Sequence, residues 1–326
     1  MAGRFRWGIV GPGNIARKFG AGVQLSETSE VAVVGSRDLG RAEAFCVEFG
    51  GRAVGSYEAV LKAEDVDGVY IATPHHLHAE LTIAAAQAGK HVLCEKPCAL
   101  RSEDASSAIK ACQDAGVLFC EAYLYRTHPL TAQVMEVVHS GRLGEIRHIA
   151  AEFAFGAADD WQNVRTVLEY GGGGLMDVGV YPVSYAMMVF GGEPERVSYL
   201  FKKSDAGFDG WATGSMIFEG GGTVSFGCGI HVQMENRVRI FGTQGMLEVS
   251  RPWDCTEGFR VKNHCSDDWE EIEGIRADRF GNEVDVFVRS LDHGFVATMT
   301  PDDSLAVMRT LDRLRADGGL VFPGDP

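Results

Sequence analysis

The sequence lacks the features that mark several whole classes of protein. No uninterrupted apolar run reaches the ~18 residues that a membrane-spanning helix needs, so no membrane partner is expected. Basic residues are in deficit, 30 Lys and Arg against 45 Asp and Glu, for a formal charge of −15. That balance argues against nucleic-acid backbone as a partner, which calls for a basic surface. It leaves room only for a local basic pocket around a small anionic ligand. The eight cysteines (46, 94, 98, 112, 120, 228, 255 and 265) contain no CxxC pair. The opening MAGRFRWGIVGPG has a basic flank but no apolar core of a secretory signal. Reduced thiols and a cytoplasmic location are therefore expected, and a structural zinc site has little support. Internal repeats and low-complexity segments are also missing.

What is present is ordinary globular composition, with 45 % hydrophobic and 23 % charged residues over 326 positions. At ~100–200 residues per domain, the length suggests two domains. Short apolar runs at Arg6–Val10, Val31–Ser36, Gly68–Ala72, His91–Glu95 and Val117–Glu121 alternate with helical stretches at Leu39–Phe49, Leu77–Ala88 and Ser102–Ala115. Such alternation predicts βαβ units around a parallel sheet. After about residue 125 the texture changes. Strand-like segments at 145–155, 197–203, 213–218, 223–233, 237–241 and 246–249 predict a largely antiparallel sheet, and Glu219–Gly222 carries a hairpin signal. Helices are expected near 129–140, 178–190, 281–293 and 302–316. The expected division is a domain at 1–125 and a second at 126–326, with the last helix returning to the first domain.

Gly11-Pro12-Gly13-Asn14-Ile15-Ala16 fits G-x-G-x-x-G/A. Alone the pattern is common. Here it follows a predicted strand and opens a predicted helix, the context in which it binds a dinucleotide. Gly11 permits the tight turn, Gly13 lets backbone approach a pyrophosphate, and Ala16 allows close helix–strand packing. The helix N-terminus supplies N–H donors. The second strand ends Ser36-Arg37-Asp38, with Arg41 a turn further on. A guanidinium suits a ribose 2′-phosphate, whereas an NAD enzyme usually places a carboxylate there, a role open to Asp38. NADP is favoured, with NAD as the alternative.

Ala72-Thr73-Pro74-His75-His76-Leu77-His78, then Glu95-Lys96-Pro97, and finally Gly171–Tyr181 join this turn in a pattern spanning nearly the whole chain. It resembles the glucose–fructose oxidoreductase/inositol dehydrogenase (Gfo/Idh/MocA) family. The segment Gly173–Tyr181, ending in tyrosine where many members have histidine, resembles the branch of the NADP-dependent D-xylose and dimeric dihydrodiol dehydrogenases, as does Glu121–Pro129. The resemblance implies an N-terminal Rossmann domain and a C-terminal α+β domain on an open, mostly antiparallel sheet. It also implies that Thr73, Pro74, His76, His78, Glu95 and Lys96 flank the cofactor, that the Lys96–Pro97 bond is commonly cis, and that the sheet's exposed face mediates oligomerisation. His75, His76 and His78 are read as this loop and not as a metal cluster, since no matched carboxylate or cysteine set accompanies them.

Oxidising an alcohol or hemiacetal by hydride transfer needs a base for the hydroxyl proton and positive charge beside the forming oxygen. Lys96 supplies the charge. Tyr181, four residues after Asp177, is the first choice for the proton, and Lys96 or Asp177 are the alternatives. Pro182 is tolerated in a first helical turn, which would make Asp177 the N-cap. Gly171–Gly174 is either a flexible surface loop or a close backbone approach. Tyr125, Arg126, Phe155, Trp161, Arg165, Trp253 and Phe280 are candidates to line a substrate pocket, since sugars stack on aromatic rings. The expected activity is NADP-dependent hydride transfer with an aldose or related polyol. A trans-dihydrodiol dehydrogenase and a non-catalytic cofactor-binding regulator are the alternatives. Phe218, Val224, Phe226, Ile230 and Val232 look too apolar to face water, which predicts a homodimer or homotetramer through the second sheet.

Overall fold

The computed structural model describes residues 3–158, 163–266 and 268–325. The chain divides into two compact units. The first contains Met1–Thr127 and Ala277–Leu305, and the second contains His128–Arg276 and Ala306–Pro326. This differs from a single division at 125. The segment that returns to the first unit centres on the helix Arg279–Arg289 and not on the last helix, Pro301–Gly318.

Six parallel strands form the sheet of the first unit: β1 (Phe5–Val10), β2 (Ser29–Gly35), β3 (Arg52–Val54), β4 (Gly68–Ile71), β5 (His91–Glu95) and β6 (Phe119–Ala122). Their order, β3-β2-β1-β4-β5-β6, is that of a doubly wound dinucleotide-binding fold. The strands are almost wholly buried, which is why they read as unbroken apolar runs in the sequence. β3 is three residues long and half-exposed, too short to leave a pattern.

Two glycines explain how helices crowd this sheet. A Cβ at Gly20 would press on the rings of Phe45 and Phe49, and one at Gly22 would collide with Phe280. Both lie on the helix Asn14–Leu25, so the helices Leu39–Phe49 and Arg279–Arg289 approach it closely. Asp285 then accepts from Ser26 Oγ at 2.6 Å and Thr28 Oγ1 at 3.2 Å. Phe287 packs against Trp7, ring centroids 5.1 Å apart. These contacts are what tie residues 277–305 to the first unit.

The second unit is built on an eight-stranded sheet: β7 (Ile146–Ala154), β8 (Arg196–Lys203), β9 (Asp209–Ile217), β10 (Thr223–Gly229), β11 (Arg237–Gly242), β12 (Gly245–Ser250), β13 (Phe259–Asn263) and β14 (Glu270–Ile272). The order is β14-β13-β12-β11-β7-β10-β9-β8, and β10 runs parallel to β7 while the other neighbours are antiparallel. Glu219–Gly222 makes the β9–β10 turn, as its sequence predicts.

The alternation along β9 and β10 decides which face is covered. Ala212, Gly214 and Met216, with Val224, Phe226 and Cys228, point inward, while Trp211, Thr213, Ser215 and Ser225 point outward. Phe218, Val224, Phe226 and Ile230 are therefore core residues, and Val232 is half-buried. This corrects the reading that made them an exposed apolar face. Strand period 2 sends the apolar set to the helix-covered side and leaves the other side mainly to Ser, Thr and charged residues. Among the described residues, no helix is long and apolar enough to cross a membrane. None of the eight cysteines is in a disulfide.

Candidate active site

In the first unit the Gly11–Ala16 turn has the local geometry its glycines imply. Gly11 sits at φ +89°, in the region that disfavours side chains, and a Cβ there would meet Thr73 Cγ2 at 3.1 Å and Ala72 O at 3.2 Å. Gly13 caps the helix Asn14–Leu25 with extended backbone, no side-chain cap and open space where its Cβ would lie. Ala16 is fully buried. A helix N-terminus whose donors no side chain occupies, with room directly before it, fits the pyrophosphate of a dinucleotide. Asn14 is exposed, and Ile15 is half-buried beside the turn.

At the end of β2, Ser36 is buried and its Oγ accepts from the Asp38 amide at 3.2 Å. Arg37 and Arg41 are exposed. The Arg37 charge reaches His76 and, after burial, is the next cause lowering the pKa of that imidazole. This draws Arg37 and the 72–78 loop into one neighbourhood.

Lys96 is half-buried directly after β5, at the carboxyl edge of the parallel sheet, where ligands of such sheets bind. The Lys96–Pro97 bond is cis, as the resemblance implies. Two buried side chains brace this segment. The His78 ring has Nδ1 at 2.8 Å from Pro97 O and Nε2 at 2.8 Å from Thr73 O. A neutral ring donates to only one of these carbonyls at a time. Burial is the main influence and pushes the His78 pKa down to about 4, against the pull of both carbonyls. Glu121 Oε1 accepts from the Cys98 amide at 2.9 Å. Burial pushes the Glu121 pKa up to about 7, opposed by the Cys98 amide, the Ser304 hydroxyl and Arg126.

Several of the expected cofactor-flanking residues also have partners inside the protein. His78 joins two loops, and both ring nitrogens face protein carbonyls. Glu95 is buried, and its carboxylate accepts from Tyr70 Oη. Thr73 is buried, and Pro74 and His76 are half-buried on the same loop. Tyr125 is fully buried, edge-on to Tyr123. Arg126 is 5 % exposed and donates to Thr298 O at 3.1 Å, with Asp303 at 3.8 Å. Phe280 fills the gap over Gly22 and belongs to the helix interface. Arg126 and Phe280 are thus both buried against partners inside the first unit.

In the second unit, Asp177 lies inside the wound segment and not at its start. A π-helical turn, Leu175–Gly179, runs directly into the helix Val180–Phe190. The Asp177 amide donates to Gly173 O at 3.2 Å, so Asp177 is already a helical residue. The expected N-cap role is corrected accordingly. The wide turn sits just before Pro182, whose ring would crowd the carbonyl of residue 178 in a regular α-helix. Asp177 is buried, and Arg165 Nε donates to its Oδ2 at 2.8 Å.

Tyr181 meets Phe153 edge-on at 4.9 Å between centroids and Trp253 at 5.6 Å. Trp253 is itself held by Nε1 donating to Glu152 O at 3.0 Å and by Tyr185 at 5.7 Å. Phe155 is half-buried two residues beyond Phe153, and Trp161 lies outside the described residues. Sequence reasoning missed Phe153 and the brace Glu121. Phe153 shares a strand face with Phe155 by period 2, which is the signal that points to it. Glu121 opens the Glu121–Pro129 segment that carries the resemblance, but no local pattern shows what its side chain braces.

Among the described residues no group of three or more His, Cys, Asp or Glu could hold a metal ion. The fold and the glycine turn define a nicotinamide-dinucleotide oxidoreductase. Residues 5–123 match the oxidoreductase family with NAD-binding Rossmann fold, and residues 131–248 match the GFO/IDH/MocA C-terminal domain. The chain belongs to the Gfo/Idh/MocA oxidoreductase family.

Among its relatives is D-xylose 1-dehydrogenase (NADP(+)) 2 of Haloferax volcanii, 33 % identical over 312 residues, covering 94 % of this chain and 95 % of that one. The trans-1,2-dihydrobenzene-1,2-diol dehydrogenase of Bos taurus is 35 % identical over 262 residues, covering 77 % and 76 %. The crystal structure of KijD10, a 3-ketoreductase from Actinomadura kijaniata in complex with NADP and TDP-benzene, matches with a TM-score of 0.90 and 28 % identity, covering 97 % of this chain and 98 % of that one.

Proposed function

We propose that this chain is an NADP-dependent dehydrogenase that transfers hydride between the nicotinamide and a CH–OH carbon of an aldose or related polyol. One observation carries the reading. The Gly11 turn, the Thr73 loop and the Lys96–Pro97 segment are joined in the first unit, through the Gly11–Thr73 approach and the His78 bridge. When bound, the dinucleotide supplies the hydride acceptor or donor.

The chain's residues supply what hydride chemistry leaves over. The glycine turn and the helix N-terminus take the pyrophosphate. Arg37 and Arg41 take the ribose 2′-phosphate, a role that the NADP of the Haloferax volcanii and Actinomadura kijaniata proteins supports. Lys96 holds positive charge beside the reacting oxygen. Tyr181 accepts the hydroxyl proton in the oxidative direction, and Asp177, paired with Arg165, anchors the segment that carries it. Phe155, Trp253 and Phe153 offer ring faces to the apolar side of a sugar. The reading includes a cytoplasmic location and a homodimer or homotetramer through the outer face of the second sheet.

The cluster of Phe153, Tyr181 and Trp253 favours one second reading, a trans-dihydrodiol substrate, whose ring would stack on these aromatics. The test is a screen of aldoses, polyols and a trans-dihydrodiol with NADP and with NAD, followed by the absorbance of the reduced nicotinamide. Turnover of a sugar or polyol with NADP is expected. Turnover of the dihydrodiol alone selects the second reading, and cofactor binding without turnover of any substrate overturns both in favour of a regulator.

A further inference from the structure

The run Gly171–Gly174 is buried from end to end, so it is not a flexible surface loop. Its backbone is fixed by close contacts inside the second unit. The Gly173 amide donates to Arg165 O at 2.9 Å, and the Gly172 amide to Val167 O at 3.0 Å. A Cβ at Gly174 would lie 3.0 Å from Gly229 Cα. Gly173 has φ +126° and faces Asp209 so closely that any side chain there would overlap the carboxylate.

Asp209, at the start of β9, is completely buried. Its Oδ2 accepts the Leu175 amide at 2.6 Å and the hydroxyl of Tyr199 on β8. The Gly174 amide also faces the carboxylate. The carboxylate therefore grips the first residues of the segment that carries Asp177 and Tyr181, where a helix leaves its N–H groups unpaired. A buried carboxylate is costly unless donors of this kind satisfy it; here they gather on Oδ2, while Oδ1 has no hydrogen-bond partner.

We propose that Asp209 is a positioning residue for the oxidoreductase reaction, holding the Gly173–Leu175 turn in the one conformation that presents Asp177 and Tyr181. The inference rests on the functional reading above, in which that segment handles the substrate proton. It predicts that the carboxylate acts on the catalytic step through the turn and leaves cofactor affinity alone, since Gly174, Leu175 and Tyr199 all lie within the second unit.

The experiment compares Asp209→Ala, Asp209→Asn and Tyr199→Phe with the wild type by amide hydrogen exchange over residues 171–181, by NADP affinity, and by kcat and KM. In Asp209→Ala the exchange of the 171–181 segment is expected to rise at least ~10-fold, the scale of losing hydrogen bonds to a charged group. A fall in kcat of at least ~10-fold should accompany it, with NADP affinity held within about twofold. Asp209→Asn, which keeps one carbonyl acceptor, should recover part of both losses. Tyr199→Phe, which leaves the Leu175 contact in place, should change both less than Asp209→Ala.

If Asp209→Ala does not fold, Asp209→Asn and Tyr199→Phe carry the same comparison at smaller amplitude. Unchanged exchange over 171–181, or raised exchange with wild-type kcat, overturns the proposal. A wild-type chain that turns over no substrate overturns the functional reading instead. The exchange comparison then still decides whether Asp209 holds the turn.

Discussion

Arg165 donates through Nε to Oδ2 of Asp177 at 2.8 Å, joining a half-exposed guanidinium to a carboxylate only 4 % exposed at the side chain. The Arg165 carbonyl accepts the Gly173 amide as well, so one residue grips the π-helical segment at two points. Arg165→Met should leave the Asp177 charge buried without its ion-pair partner. A fully buried broken pair costs ~3–5 kcal/mol; partial exposure of Arg165 reduces this to about 1–3 kcal/mol. Urea unfolding measures the loss. The double variant Arg165→Met, Asp177→Asn should be more stable than Arg165→Met alone, and equal stability of the two would contradict the pairing argument.

Tyr181 is fixed by the edges of two rings, Phe153 and Trp253, and reaches its position on a helix whose first turn is widened. Removing its hydroxyl leaves that packing intact. Tyr181→Phe should therefore lower kcat at least ~100-fold, the scale of acid–base catalysis, with NADP affinity unchanged. If kcat survives and only KM rises, the tyrosine positions substrate, and the proton passes to Lys96 or Asp177.

The sheets and glycine turns were legible in the sequence because each leaves a local pattern. The predicted strand His91–Glu95 and the helices Leu39–Phe49 and Ser102–Ala115 coincide with the observed elements. What escaped was non-local. The return of Arg279–Arg289 to the first unit depends on Gly22 and Asp285, which only the folded chain brings together. The burial of Arg126 and Phe280 was not legible either, because residue type does not report burial. His78 and Glu95 lie in the motif as expected, but their side chains brace the neighbouring protein. The apolar strand residues were read without their alternation, which sends Phe218 and Phe226 into the core.

On the proposed reading, cofactor choice turns on Arg37 and Arg41, both exposed beyond the end of β2. Charge-assisted bonds to a 2′-phosphate contribute ~1.5–3 kcal/mol in all. Arg37→Ala should weaken NADP roughly 10-fold or more and leave NAD little changed, as measured by quenching or enhancement of cofactor fluorescence. Equal losses for both cofactors would remove Arg37 from the phosphate site.

On the proposed reading the chain assembles through the outer face of the second sheet, which is not an apolar one. Its outer side carries Thr213, Ser215 and Ser225, with Trp211 and Leu200 exposed among them. Toward the other edge, Arg237, Arg239 and Arg260 surround Glu248. A polar interface of this kind should show a dimer or tetramer at micromolar concentration in sedimentation, and Trp211→Glu should shift it toward monomer. A wild-type monomer at that concentration would end the assignment.

Glu121 makes a prediction about pH. Its carboxyl is buried and keeps its proton up to about pH 7 in the folded state, because burial outweighs the Cys98 amide, the Ser304 hydroxyl and Arg126. In the unfolded chain a glutamate ionises near pH ~4.3. Between those values the folded protein holds a proton that the unfolded one has released. Raising the pH then favours unfolding, by up to ~1.4 kcal/mol per pH unit for this one group, and the loss levels off above the folded pKa. Glu121→Gln keeps an acceptor for the Cys98 amide and removes the titration. Asp209, pushed up to about 6 by its own burial, contributes a slope of the same sign in wild type and variant alike, so the difference between the two isolates Glu121. Chemical unfolding at a series of pH values from 5 to 8 should show the glutamine variant gaining on the wild type as pH rises toward 7, then holding a constant lead. A difference that stays flat across the series would mean that the carboxyl is ionised throughout and that its brace on the Lys96–Cys98 segment is a charged one.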